Sequence, residues 1–176
     1  MEHSGFIAGA ILLTYILVFW IARIHEIREN DRCVPLLYPR EGVTLPDNPP
    51  LISVLVPAHN EEKVIEKCLK SILAQDYSNL ELICVDDRST DRTGLLVQKL
   101  FENRSNCRLV TVKKRLEGWT GKCHALDVAS KLARGEWLAF LDADSSLHPK
   151  ALRICLDEAL ERRVNLITLT PKFLLG

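Results

Sequence analysis

The stretch Trp137-Leu138-Ala139-Phe140-Leu141-Asp142-Ala143-Asp144 determines which fold we predict for the chain. Its first five residues are apolar and lie between Gly135 and polar Ser145, a pattern typical of a strand buried on both faces. Two carboxylates follow at positions i and i+2, which point to the same side of a strand. Two interpretations stay open. The carboxylates bind a divalent metal that holds a phosphate, or they cap a helix that begins at Pro149.

From Leu51 onward, short apolar strands alternate with segments in which apolar residues recur at helical spacing. The predicted strands are 51–56, 80–85, 108–113, 137–141 and 165–170. Two of the predicted helices follow N-cap residues, at Asn60 and at Ser89-Thr90-Asp91. Two more begin at Lys122 and at Pro149. This alternation predicts βαβ units, a mostly parallel sheet and right-handed crossovers.

Polar groups follow three of the predicted strands, at Pro57-Ala58-His59-Asn60-Glu61, Asp86-Asp87 and Asp142-Ala143-Asp144. Ligands of open α/β sheets bind beyond the carboxyl ends of the strands, so these groups are expected to meet at one edge. Several carboxylates at one edge destabilise a fold unless a metal or another cation offsets their charge. The loop Gly118-Trp119-Thr120-Gly121-Lys122 supplies a cation and adaptable backbone at a helix start, where anions are favoured.

Two common phosphate-binding motifs are missing at these places. The loop before Lys122 is not a Walker A sequence, and no GxGxxG follows the first strand, so neither a P-loop NTPase nor a dinucleotide-binding Rossmann domain is supported. A purely structural interpretation also stays open for two residues. Lys122 is then an ordinary lysine at a helix start, and His59 a turn histidine that is hydrogen-bonded to backbone.

The composition limits the classes of partner. The chain has 176 residues with 23 basic and 23 acidic side chains, so its net charge is zero and nothing favours a nucleic-acid partner. Six cysteines show no CxxC spacing, which favours reduced, mostly buried thiols over disulfides or a zinc site.

The N-terminus has the pattern of a membrane segment. Residues 4–22 carry no charge, and these 19 residues are close to the ~20 that cross the hydrocarbon core of a bilayer. A cleaved signal peptide is the alternative, but no basic n-region precedes the segment. Arg23, Arg28 and Arg32 follow it, which predicts an outside N-terminus and a cytosolic main domain. The predicted division is a single-pass anchor at 1–22, a proline-rich connector at 23–50 and the main domain at 51–176.

Four segments of the main domain follow one another in a characteristic order. They are Val56-Pro57-Ala58-His59-Asn60-Glu61-Glu62, Val85-Asp86-Asp87-Arg88-Ser89-Thr90-Asp91, Gly118-Trp119-Thr120-Gly121-Lys122-Cys123-His124-Ala125-Leu126 and Phe140-Leu141-Asp142-Ala143-Asp144. Together they resemble the N-terminal half of a glycosyltransferase family 2 enzyme. The N-terminal anchor and the glycine-rich loop are most similar to the membrane-bound branch that includes hopanoid-associated and ceramide glycosyltransferases.

The resemblance implies an α/β fold class, an incomplete GT-A domain that is Rossmann-like, with a mostly parallel sheet, flanking helices and one preceding transmembrane helix. In that family this half binds a nucleotide diphosphate sugar, here expected to be UDP-linked. Pro57 and His59 match the turn that touches base and ribose, with Glu61 beside it. Asp87 matches the aspartate that reads the uracil edge.

The resemblance also implies roles around the diphosphate. Lys122 matches a basic loop residue near base and phosphates. Asp144 is expected to bind Mg²⁺ or Mn²⁺, and Asp142 to bind the ribose or to support the metal. Position 59 is often tyrosine in the family, and His59 departs from that pattern.

The expected activity is transfer of a sugar, with inversion, to an acceptor hydroxyl, for which a lipid is the expected carrier. The family's general base lies in an acidic motif well after Asp144, followed by a tryptophan motif. Neither is present before Gly176, so no residue is assigned as base. Two interpretations stay open. The chain is the donor-binding half of a glycosyltransferase, or a truncated, non-catalytic, membrane-anchored module that binds nucleotide sugar and metal.

Overall fold

A computed structural model describes residues 13–25, 46 and 48–169 of the chain. The chain divides into two compact units, residues 1–38 and 39–176. The first twelve residues, most of the connector and the end of the chain lie outside the described residues, so the predictions made for them have no structural counterpart here.

The N-terminal unit contributes one described helix, α1, over residues 13–25. Its described side chains are all exposed, including Leu13, Phe19 and Trp20. Across residues 13–25, 46 and 48–169, no helix combines the length and apolar character needed to cross a bilayer. The predicted anchor includes residues 1–12, which are outside the described part of the chain.

The second unit is built on a parallel sheet. Its strands are β1 (Ile52–Ala58), β2 (Leu80–Asp87), β3 (Cys107–Val112) and β4 (Trp137–Phe140). They lie in the order β3-β2-β1-β4, and every neighbouring pair is parallel. The prediction of a parallel α/β sheet is therefore confirmed. Because all strands run in one direction, their carboxyl ends meet at one edge.

Three helices connect the strands, a fourth follows β4, and together they cover both faces of the sheet. They are α2 (Ile65–Leu73), α3 (Thr93–Phe101), α4 (Gly121–Leu132) and α5 (Ala151–Arg162). Alternate residues of β1 and β2 point to opposite faces. One face packs with α2, α3 and α5 in a large apolar core, and the other packs with α4 through Leu55, Ile83 and Ala125.

A buried polar network joins the amino-terminal ends of the sheet. The Glu81 carboxylate, 5% exposed, accepts hydrogen bonds from Ser53 Oγ at 2.6 Å and from the Arg134 backbone N–H at 2.6 Å. The Arg134 guanidinium donates two more, at 3.0 and 2.9 Å. Burial raises the pKa of Glu81, but the bonds from Ser53 and Arg134 outweigh it and hold the pKa below its usual value.

Gly135, just before β4, has a packing role in the sheet. A Cβ atom there would lie 2.5 Å from Ser53 Oγ and 2.8 Å from the Leu51 backbone oxygen. Helix α4 ends earlier, with Ala133 at its C-cap. The missing side chain therefore lets the segment before β4 lie directly against β1.

The prediction that residues 137–141 are buried on both faces is wrong. Leu138 and Phe140 are 42% and 58% exposed. The reason is that β4 is an edge strand of the described sheet, while the core under α4 is formed with Leu55 of β1 and with Ile83 and Val85 of β2. The apolar residues of β4 are therefore covered on one face only, in the part of the chain that the structure describes.

Two further predictions of secondary structure are wrong. Residues 165–169 of the predicted fifth strand have no strand structure, and Leu166 is 80% exposed; Thr170 lies outside the described residues. Asn60 does not cap a helix, because α2 begins only at Ile65. The side chain of Asn60 instead accepts a hydrogen bond from the Thr90 backbone N–H at 2.8 Å.

The predicted cap at Ser89-Thr90-Asp91 is displaced by one residue, because the N-cap position of α3 is Arg92, which makes no side-chain cap bond, and Asp91 precedes it. The Asp91 Oδ1 atom accepts hydrogen bonds from the Thr93 backbone N–H at 2.9 Å and from Thr93 Oγ1 at 2.6 Å. The five cysteines that the structure describes are all free, and the prediction that the thiols are mostly buried is wrong for them, because only Cys68 and Cys84 of these five are buried.

Candidate functional site

A cleft of ≈ 220 Å³ lies at the carboxyl edge of the sheet. It is lined by residues from the ends of β1, β2 and β4 and from the start of α4: Pro57, Ala58, His59, Glu61, Asp87, Lys122, Ala125, Asp142, Ala143 and Asp144. All seven residues predicted for the site are among these ten. The structure thus brings together the four segments that the sequence analysis selected, while the individual roles stay predictions.

The first wall of the cleft is the turn after β1. The His59 ring lies at the surface, and its Nδ1–H donates a hydrogen bond of 2.6 Å to the backbone oxygen of Asp87. This is the backbone bond that the structural interpretation of His59 predicted. Because the same ring lines the cleft, the bond also fixes the ring's position beside Asp87.

The loops after β1 and β2 are interlocked. Asn60 N–H donates to Ser89 Oγ at 3.0 Å, and its side-chain oxygen accepts from Thr90 N–H. Next along the chain, Glu61 N–H donates to the Thr93 hydroxyl at 2.8 Å. Asn60 has a φ of 56°, in the left-handed region that asparagine tolerates better than most residues. The interlocked loops therefore hold Glu61 and the His59 turn in a defined position.

The two adjacent aspartates at the end of β2 have different surroundings. Asp86 is buried under α3, where a Cβ atom on Gly94 would lie 2.6 Å from its Oδ2 atom. Its Oδ1 atom accepts a hydrogen bond from Ser89 N–H at 3.2 Å. Asp86 therefore supports the loop, whereas Asp87 is the member of the pair that lines the cleft.

The Asp87 carboxylate is held from two sides. Arg88 donates to both of its oxygens, from Nε at 2.8 Å and from an Nη atom at 2.9 Å. The start of α4 covers it, since a Cβ atom on Gly121 would lie 2.5 Å from Oδ2. The Arg88 hydrogen bonds hold the pKa of Asp87 below its usual value, against the opposing effect of burial. Asp87 is therefore a charged acceptor at neutral pH.

The helix start that supplies Lys122 is capped locally. The Thr120 hydroxyl accepts a hydrogen bond from Cys123 N–H at 3.3 Å, and Gly118 takes a φ of 79°, which favours glycine. The Lys122 ammonium forms an ion pair of 2.5 Å with Asp142 Oδ1. Both side chains remain more than half exposed, at 59% and 54%. The cation and the carboxylate are therefore accessible to a ligand in the cleft.

The acidic turn, residues 142–144, lies beyond β4 and not within it. The strand ends at Phe140, and Ser145 N–H donates to the Asp142 backbone oxygen at 3.0 Å. The i, i+2 argument for a common side of a strand therefore does not apply. Asp142 and Asp144 nevertheless both line the cleft, and Ala143 between them is buried, at 4% exposure.

The carboxylates of the acidic turn affect the pKa of Cys68, a buried thiol of α2. Burial, together with the nearby Asp144 and Asp142 carboxylates, raises the pKa of Cys68 to about 12. The Cys68 thiol therefore stays protonated at neutral pH and acts as a donor, with its Sγ atom 3.5 Å from the Asp142 backbone oxygen.

The donor set of the acidic turn fits a hard divalent cation. Asp142 and Asp144 offer carboxylate oxygens, the donors that Mg²⁺ and Mn²⁺ prefer. Among residues 13–25, 46 and 48–169, no group of three or more His, Cys, Asp or Glu side chains is arranged to hold a metal. A cation bound at this turn would therefore take its remaining oxygen ligands from a bound molecule or water.

Two residues beside the cleft were not selected from the sequence. Arg88 directly follows the aspartate pair, and its place in the segment Asp86-Asp87-Arg88 was the available signal. His124 is buried next to the exposed Trp119 ring, with ring centroids 6.1 Å apart and the rings edge to face. Its Nδ1 atom is buried without a hydrogen-bond partner in the described structure.

The fold and the cleft define the class of the protein. A parallel α/β sheet carries, beyond its strand ends, a buried acceptor, an accessible cation at a helix start and two accessible carboxylates. This is the arrangement expected of a domain that binds a phosphorylated ligand at the edge of the sheet.

The chain belongs to glycosyl transferase family 2, whose family model matches residues 53–173. Among curated proteins, it is 37% identical over 109 residues to chondroitin synthase of Escherichia coli, covering 62% of this chain and 15% of that protein. It is also 37% identical over 113 residues to the GalNAc(5)-diNAcBac-PP-undecaprenol beta-1,3-glucosyltransferase of Campylobacter jejuni, covering 64% and 35%. The chain thus corresponds to well under half of each relative.

Solved structures show the same relationship. TarS of S. aureus in complex with UDP-GlcNAc matches with a TM-score of 0.56 and 31% identity, over 64% of this chain and 32% of that one. The mannosyltransferase PcManGT of Pyrobaculum calidifontis, in complex with GDP-Man and Mn²⁺, matches with a TM-score of 0.58 and 31% identity, over 69% and 36%. The predicted GT-A fold is consistent with these neighbours, whereas nothing here separates the hopanoid-associated and ceramide branch from the rest of the family.

Proposed function

We propose that this chain is the donor-binding half of a glycosyltransferase, and that its cleft binds a nucleotide diphosphate sugar, with UDP as the nucleotide. One observation carries the proposal: the cleft collects all seven predicted site residues from four separate segments. The complex of TarS with UDP-GlcNAc supports it, because that neighbour holds a UDP-linked sugar.

In this proposal the nucleoside end of the ligand lies against the turn after β1 and the end of β2. Asp87 accepts a hydrogen bond from the uracil edge, for which its buried, ionised carboxylate is suited. Pro57 and His59 contact the base and ribose, and Glu61 lies beside them.

The diphosphate lies between α4 and the acidic turn. Lys122 contacts the phosphates from the first turn of α4, where the helix dipole also favours an anion. Asp144 is the proposed ligand of Mg²⁺ or Mn²⁺, and Asp142 supports the ribose or the metal. The bound cation supplies positive charge that stabilises the nucleoside diphosphate as a leaving group.

The proposed reaction is an inverting transfer. An acceptor hydroxyl attacks the anomeric carbon from the side opposite the nucleoside diphosphate, so the configuration at that carbon inverts. Lys122 offsets the negative charge that develops on the leaving group. The general base that takes the hydroxyl proton is not assigned to any residue of this chain.

The proposed acceptor is a lipid, and the proposed place is the membrane. Support comes from the uncharged stretch 4–22 and from Arg23, Arg28 and Arg32 after it, which favour an outside N-terminus and a cytosolic main domain. The same features support membership of the hopanoid-associated and ceramide branch.

Calorimetry with UDP, in the presence and absence of Mn²⁺, tests the donor site. We expect UDP to bind more tightly with Mn²⁺ than without it, and more tightly than GDP under both conditions. In Asp144→Ala the benefit of Mn²⁺ should be lost. Glu66→Ala removes an exposed carboxylate of α2 outside the cleft and should leave binding unchanged.

Two results would contradict the proposal. If UDP bound equally with and without Mn²⁺, in both the original chain and Asp144→Ala, the proposed metal site would be refuted. Tighter binding of GDP than of UDP would show that Asp87 does not read uracil.

A further inference from the structure

The acidic turn needs support from outside the sheet. The ladder of β4 ends with a bond of 3.1 Å from Leu141 N–H to the Leu55 backbone oxygen, one residue before Asp142. The position of the two carboxylates relative to Lys122 is therefore not set by strand pairing. It depends on what holds the segment 142–152 against the rest of the domain.

Helix α2 presents a row of polar side chains to this segment. We call Cys68, Ser71 and Gln75 the α2 stripe; Cys68 and Ser71 lie three residues apart on one side of the helix, and Gln75 directly follows the C-cap, Ala74. The Cys68 thiol donates to the Asp142 backbone oxygen at 3.5 Å. Ser71 Oγ accepts from Leu147 N–H at 3.0 Å. Two members of the stripe thus bond to the backbone, one at the first residue of the acidic turn and one three residues after the turn.

Gln75 bonds to the same segment twice. Its Nε2 atom donates to the His148 backbone oxygen at 2.8 Å, and its Oε1 atom accepts from Leu152 N–H at 3.1 Å. The backbone continues this contact, because Asp76 N–H donates to the Pro149 oxygen at 2.7 Å. The stripe's bonds to the segment are all made with main-chain atoms of the segment, while Ser71 Oγ also donates to the Cys68 oxygen at 2.7 Å and Gln75 Nε2 to the Ser71 oxygen at 3.0 Å. They leave the carboxylates of the acidic turn available to a ligand.

Apolar packing also holds the acidic turn against α2. Ala143, between the two carboxylates, belongs to the same buried core as Leu69 and Ile72 of α2. Leu147 packs against that core as well. The turn is therefore fixed on its apolar side by the helix that also holds its backbone.

We propose that the α2 stripe positions Asp142 and Asp144 for the diphosphate and its metal, so that Ser71 and Gln75 are positioning residues of the donor site. This inference rests on the proposed function and adds residues that lie outside the cleft. A defect in the stripe should change the metal-dependent part of UDP binding. It should leave the nucleoside part unchanged, because Asp87 and His59 are held by other contacts.

The test compares Ser71→Ala and Gln75→Ala with the original chain. Calorimetry gives three dissociation constants for each: for UDP with Mn²⁺, for UDP without Mn²⁺, and for uridine. Removal of one neutral hydrogen bond corresponds to about a fivefold change in an equilibrium constant. We therefore expect the gain in UDP affinity from Mn²⁺ to fall about fivefold or more in each variant, with uridine affinity unchanged.

Two further variants separate positioning from general damage. Ser71→Thr keeps the hydroxyl acceptor and should restore the Mn²⁺ effect. Lys70→Ala removes a neighbouring exposed side chain of α2, paired with Glu66 at 3.5 Å, and should behave like the original chain. Gln75 lies at the end of the helix, so Gln75→Ala gives a second measurement should Ser71→Ala fail to fold.

Each other outcome overturns the inference in a recognisable way. An unchanged Mn²⁺ effect in both alanine variants would refute the role of the stripe and leave the proposed function standing. An equal loss of uridine and UDP affinity would show a general structural role only. The absence of any Mn²⁺ effect in the original chain would refute the proposed function itself, and the inference with it.

Discussion

Replacing Lys122 by methionine separates the proposed ligand-binding role of this lysine from its role in the fold. Its ammonium group is 2.5 Å from Asp142 Oδ1, and both side chains are more than half exposed. Methionine keeps most of the aliphatic length and removes the charge. Asp142 then remains in contact with water, so no buried charge is left without a partner.

The expected magnitudes differ between stability and binding. Exposed ion pairs contribute about 0–1 kcal/mol, so the free energy of unfolding should change by no more than about 1 kcal/mol. A hydrogen bond to a charged group contributes about 1.5–3 kcal/mol. Lys122 must leave Asp142 to make one with a phosphate, which offsets up to about 1 kcal/mol of that gain. The net loss in Lys122→Met is then about 1.5 kcal/mol, or roughly tenfold in the dissociation constant for UDP.

Calorimetry with UDP and Mn²⁺, and separately with uridine, checks these values. Uridine has no phosphate, so its affinity should stay the same in Lys122→Met. The matched control is Lys131→Met on the same helix, which breaks an exposed pair with Asp127 at 2.7 Å. The control should resemble the original chain in both affinities. A UDP affinity within twofold of the original chain, or an equal loss of uridine affinity, would refute the contact between Lys122 and the phosphates.

Two further predictions concern the end of β2 and the buried network at the opposite end of the sheet. In Gly121→Ala the new methyl group would lie 2.5 Å from Asp87 Oδ2, and in Gly94→Ala 2.6 Å from Asp86 Oδ2. Both substitutions should destabilise the fold by about 1–3 kcal/mol. Uridine binding should weaken only in Gly121→Ala, because Asp87 lines the cleft and Asp86 supports the loop. Equal weakening of uridine binding in both variants would contradict these separate roles. The folded-state pKa of Glu81 lies below its unfolded value, so its stabilising effect is complete above about pH 4.5 and is lost as the pH falls through the lower folded pKa. Denaturant unfolding across acidic pH should therefore show a flatter pH dependence for Glu81→Gln, and an unchanged slope would contradict this account.

The alternation of apolar strands and amphipathic helices was sufficient to predict the parallel sheet. The β1 and β2 residues are apolar because helices cover both of their faces, so their patterns are unambiguous. The cleft was also predictable, because parallel strands bring their carboxyl ends, and the polar groups that follow them, to one edge.

The errors arise where the same local pattern fits two environments. The apolar run 137–141 suits a strand covered on both faces, and composition alone does not say which strand lies at the edge of a sheet. Asn60 is a good helix cap and also a good residue for left-handed backbone, and the contact with the loop after β2 decides between them. Arg88 was not selected because its bidentate bond to its own neighbour is a matter of side-chain geometry.

The interlocked loops after β1 and β2 have a consequence for motion. Their hydrogen bonds join residues about thirty positions apart, such as Asn60 with Ser89 and Glu61 with Thr93. Neither loop can swing outward without breaking the bonds of the other, so the two open as one cooperative unit or not at all. Amide protons of both loops should then exchange with solvent at a shared rate.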